Sequence, residues 1–422
     1  MRFRMVRRKA LALLVVSLVI GTLLFSTRVL FLSDPETTDP ISFRDSHVSQ
    51  SEEMVKLNFA SPSELADSVL NADYQQFVLN ADRFPEEPQL VLVVQVHNRP
   101  DYLRLLVRSL ESAAEVQGFL VIFSHDYFSE EINSIVQGIT FCKVIQIYFP
   151  YSTQLYPDSF PGPDPKDCPR DAARDQAVRS GCLNAEHPDS YGHYREAAIT
   201  QTKHHWWWKM HFVWERVGAV QGYHGFAVFL EEDHYLLPDF YHHYRAMAAY
   251  RAASCPDCDV LVLGNHKVPD GGFGGHSDRL QTASWESAKH NMGLALSREV
   301  YYKLMGCNEA FCTYDDYNWD WTLQHLSGTC IAKPLKVLAA LGSRVLHTGD
   351  CGLHQKKKEE PCRPELAARR VEEVLQRVKG SLFPASLSLS GGEKVEHRPH
   401  VKNGGWGDLR DHVLCKNYAR RL

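Results

Sequence analysis

No cysteine occurs in the first 141 residues, no Asn-x-Ser/Thr sequon occurs anywhere, and no GxGxxG follows the first long apolar run of the chain's body. The missing sequon excludes an N-glycan on the chain itself. The missing glycines remove the dinucleotide fingerprint of a Rossmann unit. HExxH is absent, so the commonest zinc-hydrolase signature is not there. A second CxxC is absent too, which leaves Cys255-Pro-Asp-Cys258 without the other half of a zinc site and favours a local disulfide over a redox pair. Basic residues are not gathered into a face. Net charge is −5, with Lys and Arg dense only at the two ends and at Lys356-Lys357-Lys358, so no nucleic acid is expected as a partner.

What is present suits a sizeable core. Of 422 residues, 44% are hydrophobic, with 8 Trp and 18 Tyr, enough for one large α/β unit or two to three domains. Residues 1–9 carry four Arg and a Lys, and residues 10–32 are mostly apolar with Arg28 as the interruption. That run is longer than most cleaved signal peptides and close to the roughly 20 residues of a span. Positive charge before it predicts a cytosolic tail (1–9), a signal anchor (10–32) and a luminal remainder. Short spans suit early secretory membranes, the endoplasmic reticulum or Golgi. Eleven Cys between 142 and 415 fit an oxidising lumen, with up to five disulfides and one leftover thiol. Residues 33–85 are acidic and weakly patterned, with some helical character around Pro62 to Val78, and read as a stem, leaving 86–422 as the body.

Leu90 to Val96 is a near-continuous β-branched run of the buried parallel type, broken by His97-Asn98-Arg99-Pro100. A second run, Phe119 to Ser124, ends at His125-Asp126, and a third covers Val144 to Phe149. With helical spacing between them, they predict βαβαβ. Polar groups at such strand tips face the crevice where open α/β sheets bind nucleotides. A helix from about Tyr194 to Glu215 is apolar around most of its circumference, so Trp206-Trp207-Trp208 are read as core. Gln201 to His205, near its start, are placed to meet an anion or a base edge.

Phe226 to Tyr241 is the stretch that organises the rest. An apolar strand stops at Glu231-Glu232-Asp233, and hard carboxylate oxygens at a strand tip suit Mg²⁺ or Mn²⁺. A solvated acidic turn is the plainer alternative. The second dense stretch, Phe311 to Leu323, mixes acids with aromatics. Rings stack on sugar faces while carboxylates take hydroxyl hydrogen bonds. Asp320, between Trp319 and Trp321, is the candidate base; the plainer reading is an acidic N-terminal helix turn. His347 follows a short apolar run, where a single His is more often structural than a ligand.

Six segments, 91–100, 121–126, 201–209, 229–235, 311–321 and 402–408, resemble in order the N-acetylglucosaminyltransferase II family, the alpha-1,6-mannosyl-glycoprotein 2-beta-N-acetylglucosaminyltransferases of the Golgi. The resemblance runs from about Pro88 to the end. It implies an α/β GT-A fold, Rossmann-like and nucleotide-sugar-binding, behind an N-terminal signal anchor in the Golgi membrane. A homodimer is one assembly open to the chain. It implies UDP-GlcNAc as donor, Mn²⁺ as metal and the α1,6-arm mannose of an N-glycan as acceptor. Gln95, Val96, His97, Asn98, Arg99, Asp126, Gln201, Thr202, Lys203, His204 and His205 match donor-binding segments. Asp233 and His347 match metal ligands, with Glu231 and Glu232 shaping the site, and Asp320 matches the base. Disulfides are implied for Cys168–Cys182, Cys255–Cys258, Cys307–Cys330, Cys312–Cys415 and Cys351–Cys362, leaving Cys142 free. The Gly-rich loop Asn265 to Gly275, where Lys267 is the nearest basic residue, departs from the pattern, as does the long 356–361 segment. A glycan-binding protein of the same fold with an altered donor loop is the alternative expectation.

Overall fold

The computed structural model describes residues 55–266, 272–351 and 362–421. The tail, the anchor and the first part of the stem lie outside the described residues, as do Lys267 and 356–361. Among the described residues, no helix is long and apolar enough to cross a membrane.

Helix α1 (Pro62–Gln75) opens the described chain, with Ser61 accepting from the Glu64 amide at 3.2 Å as N-cap. Strand β1 (Val78–Leu79) leads to β2 (Leu90–Val96), α2 (Pro100–Glu111), β3 (Phe119–His125), α3 (Glu130–Gln137) and β4 (Lys143–Tyr148). A 19-residue helix, α4 (Ala197–Glu215), precedes β5 (Ala227–Glu231), β6 (His234–Leu236) and α5 (Phe240–Ser254). Strands β7 (Val260–Val262), β8 (Arg279–Ser284) and β9 (Leu294–Leu296) follow, then α6 (Trp319–Thr329), β10 (Lys336–Ala340), β11 (Val345–His347), β12 (Ser388–Gly392) and α7 (Leu409–Arg421).

Ten strands form one sheet in the order β1-β4-β3-β2-β5-β9-β7-β10-β8-β12. The pairs β2–β3, β3–β4 and β2–β5 are parallel, so their C-terminal tips share one edge. Pairing turns antiparallel at β5–β9 and β7–β9. The parallel half is the βαβαβ unit that the apolar runs predict. The side-chain alternation of β2 fixes its two faces: Val91 and Val93 pack with α4, while Leu92, Val94 and Val96 pack with α2, α3 and α5. The layers are therefore helix, sheet, helix.

Helix α4 is buried all round, as its composition predicts. Trp206 stacks on Trp319 with ring centroids 4.4 Å apart, and Trp207 stacks on Phe311 at 4.0 Å. Truncating rings of this kind to Ala costs about 3–5 kcal/mol. The Trp triplet is core.

Two sequence expectations change. The packed body starts well before 86, because Leu65, Val69 and Ala72 of α1 pack against Phe128, Tyr148 and Leu155. Their i, i+4, i+7 spacing makes a narrow apolar stripe inside a polar segment, which composition alone reads as stem. The strand expected over 290–296 is only Leu294–Leu296, since Ser287–His290 is a short helical turn. All five disulfides implied by the resemblance are formed, and Cys142 is buried and free.

Candidate active site

The tips of β2, β3 and β5 meet at one edge of the sheet. At the end of β5 come Glu231, Glu232 and Asp233, the last two buried at 1% and 2% exposure. Like charges this close and this dry need a cation. Arg99, from the break after β2, supplies it: its Nε donates to Glu232 Oε1 at 2.6 Å and its Nη1 to Asp233 Oδ2 at 2.7 Å. The His97 amide donates to Glu232 Oε2 at 2.7 Å. Both oxygens of Glu232 are thereby engaged by the chain itself.

Asp233 is not. Its Oδ1 is buried without a hydrogen-bond partner. Strands β6 and β11 pair antiparallel with His347 opposite His234, which brings His347 Nε2 to 3.4 Å from Asp233 Oδ2. Thr348 locks the turn, its amide and hydroxyl donating to the Asp233 carbonyl at 2.8 and 2.7 Å. A Cβ on Gly349 would collide with Asp233 Oδ2, so the absence of a side chain there keeps the cradle open. Glu231, Asp233 and His234 also present ligand atoms within 4.8 Å of one another. A carboxylate with an unused buried oxygen beside imidazoles is a donor set that fits a borderline-hard divalent ion such as Mn²⁺.

Burial resists charge on Asp233, but Arg99, His347 and His234 outweigh it and hold the carboxyl below its usual range. Glu231 goes the other way. Burial, then Asp233, push it up to about 7 against Arg99 and Lys209, and Asp320 adds to the rise. Asp320 is thus electrostatically part of this site although it lies on α6. Its Oδ2 accepts from Ser287 Oγ at 2.6 Å and Asn291 Nδ2 at 2.9 Å, and its Oδ1 from the Trp321 amide at 2.9 Å.

The expected donor-binding residues divide. His97 Nδ1 lies 2.7 Å from Asp126 Oδ1 at the tip of β3, and His205 Nδ1 lies 3.2 Å from Asp126 Oδ2. Asp126's charge, against burial, raises His97 to about 9. Gln201 holds the adjoining loop, accepting from the Thr153 amide at 2.6 Å and donating to the Asp126 carbonyl at 3.3 Å. Gln95 Oε1 accepts from Lys209 Nζ at 2.7 Å. Asn98 is exposed beside them, Thr202 half-buried, and Val96 lends its carbonyl to the Asp126 amide at 3.1 Å.

Lys203 and His204 point elsewhere. Lys203 Nζ donates to the carbonyls of Tyr314 and Asp316 at 2.9 and 2.8 Å, and His204 Nε2 lies 2.9 Å from Asp411 Oδ1 on α7. On a helix, positions 201 and 205 share a face, 203 lies opposite it, and 204 sits on the flank toward α7. Their chemistry fastens α4 to the C-terminal region. Nor is Asp320 sandwiched by its neighbours. Trp319 stacks inward on Trp206 and Trp321 on His400, 4.5 Å between ring centroids. Asp315 and Asp316 are structural as well, accepting from the amides of Trp406 (3.1 Å) and Asn403 (3.0 Å).

Three site residues went unread in the sequence. Lys209, Ser287 and Asn291 are ordinary residue types in unremarkable contexts, and only their contacts reveal them. Lys209 sits buried one turn after His205, and i, i+4 spacing from that residue could have found it. Burial, opposed by Glu231 and Asp126, lowers its ammonium to about 7.

His97 yields a pH prediction. A histidine raised from 6.5 to about 9 contributes stability in full below pH 6.5 and loses it as pH climbs through 9. Its ring is 57% exposed, so solvent screening trims the effect. The expected result is a melting temperature that falls from pH 7 to 9.5, with a shallower fall in His97→Gln, read by calorimetry across that range. Parallel slopes for the two proteins would reject it.

A parallel sheet edge that gathers carboxylates, a facing histidine and a separate carboxylate from a helix fits a glycosyltransferase of the GT-A class. The N-acetylglucosaminyltransferase II (MGAT2) family matches residues 66–415, and the chain belongs to that family. It is 52% identical over 357 residues to the rat alpha-1,6-mannosyl-glycoprotein 2-beta-N-acetylglucosaminyltransferase, covering 83% of this chain and 79% of the relative. The mouse protein of the same name is 47% identical over 446 aligned positions, covering all of both chains, and the Arabidopsis thaliana one is 34% identical over 348, covering 81% and 77%. Among solved structures, the Pyrobaculum calidifontis mannosyltransferase PcManGT, in complex with GDP-Man and Mn²⁺, is a distant likeness. Its TM-score is 0.31 at 9% identity, over 78% of this chain and 76% of that one.

Proposed function

We propose that the chain transfers GlcNAc from UDP-GlcNAc, in β1,2 linkage and with inversion, to the α1,6-arm mannose of N-glycans in the Golgi lumen, held there by its N-terminal anchor. The observation that carries the chemistry is two differently furnished carboxylates: Asp233 at the sheet edge with a free buried oxygen, and Asp320 on α6 held by three donors. Family membership and the names of the relatives supply the sugar and the arm.

Asp233 and His347 would hold Mn²⁺, with Arg99 fixing the Asp233 carboxylate through Oδ2. When bound, the ion offsets charge growing on the departing diphosphate. His97 and Asp126 frame the donor side at the tips of β2 and β3. Asp320 takes the proton of the mannose 2-hydroxyl as that oxygen bonds to the anomeric carbon and the bond to UDP breaks. A carboxylate offers about four lone-pair sites. Ser287 and Asn291 occupy both on Oδ2, and the Trp321 amide occupies one on Oδ1. The proton therefore goes to Oδ1.

The test is the purified luminal protein with Mn²⁺, UDP-GlcNAc and a GlcNAc-terminated oligomannose acceptor, the product read by NMR for linkage and anomeric configuration. A β1,2-linked GlcNAc on the α1,6-arm is expected. No product, or a retained α configuration, sinks the reading.

A further inference from the structure

The hydrogen bonds around Asp320 continue away from it, toward the other half of the site. Asn291 donates through Nδ2 to Asp320 Oδ2 at 2.9 Å, and its Oδ1 lies 2.9 Å from His266 Nε2. The direction of this chain is fixed by chemistry. A carboxylate oxygen can only accept, so the Asn291 amide must turn its NH₂ to Asp320 and its carbonyl to His266. His266 Nε2 must then carry a proton. The His266 ring in turn lies 5.8 Å, centroid to centroid, from His347, whose Nε2 lies 3.4 Å from Asp233. His266 follows the end of the β7 strand and Asn291 precedes β9, and these two strands pair antiparallel, so the sheet itself sets their separation.

We infer that His266 is a positioning residue for the base, its Nε2–H orienting the Asn291 amide so that Asp320 Oδ2 stays fully occupied and the acceptor proton is directed to the remaining lone-pair site of Oδ1, whose other site holds the Trp321 amide. Without that donor, the Asn291 amide is free to flip, which turns its carbonyl against the Asp320 carboxylate and removes one of the two clamps on Oδ2. The inference rests on Asp320 being the base. It assigns His266 no bond to the metal, even though the ring stands beside His347.

The experiment compares His266→Ala, His266→Gln and Asp320→Asn in the full luminal protein. A glutamine can donate through Nε2 to the Asn291 carbonyl and an alanine cannot. In His266→Ala, kcat should fall about fivefold to tenfold, the worth of one hydrogen bond of ordinary strength. Calorimetric affinity for UDP with Mn²⁺ and the melting temperature should stay as in the parent, since His266 is exposed. His266→Gln should recover most of kcat. An unchanged kcat in His266→Ala overturns the inference, and so does a loss of UDP affinity, which would place His266 among the metal's neighbours. Asp320→Asn that keeps its activity overturns the base reading and this inference together, which separates the two failures.

Discussion

Asp320→Asn is expected to lower kcat by about 10³-fold, the range of a lost general base, while UDP binding with Mn²⁺ stays at parent strength. That factor corresponds to about 4 kcal/mol of transition-state stabilisation. The substitution is close to isosteric, and its fold cost should be small. An asparagine oxygen can still accept from Ser287 and Asn291, which leaves the amide nitrogen facing the Trp321 N–H. Two donors then oppose each other at the position where Oδ1 accepts at 2.9 Å. The side chain must swing or lose that contact, costing stability on the order of one hydrogen bond. The decisive comparison is kcat against donor affinity. Loss of both would mean that Asp320 holds the donor, and loss of neither would remove it from the mechanism.

Much of this site was legible because its carboxylates interrupt apolar strands. Glu231, Glu232 and Asp233 stand out where a run of buried residues ends, and Asp126 stands out for the same reason. The sheet was legible for a related cause: buried parallel strands are nearly uniform in polarity, and β2, β3 and β4 look alike in sequence and pair in space. What the sequence did not show was phase on helices. Lys203 and His204 share a motif with Gln201 and His205, yet the turn of α4 sends them to Asp316 and Asp411, which are more than a hundred residues away in sequence. Trp319 and Trp321 bracket Asp320 in the sequence and diverge from it on α6 for the same reason. Ser287 and Asn291 were invisible because neutral hydrogen-bonding residues announce nothing until their partner is known.

The second large effect concerns the metal side. Asp233→Asn is expected to weaken binding of UDP in the presence of Mn²⁺ by at least about 100-fold, since outer-shell partners alone account for 10–100-fold in metal affinity. Its effect on the fold should be mild. Arg99 keeps Glu232 as its partner at 2.6 Å, and removing the Asp233 charge relieves Glu231, which that charge helps to push up to about 7. The contrasting substitution is Arg99→Met. It deletes the cation that joins Glu232 and Asp233, leaving two carboxylates at 1% and 2% exposure without it. Breaking a buried pair from one side costs about 3–5 kcal/mol. A drop in melting temperature without metal is therefore expected for Arg99→Met and not for Asp233→Asn. Calorimetric titration of UDP with Mn²⁺ and thermal unfolding of the metal-free protein measure the two effects independently. Parent-like UDP affinity in Asp233→Asn would remove Asp233 from the metal site. A stable Arg99→Met would mean that the strand tip holds its carboxylates protonated rather than paired.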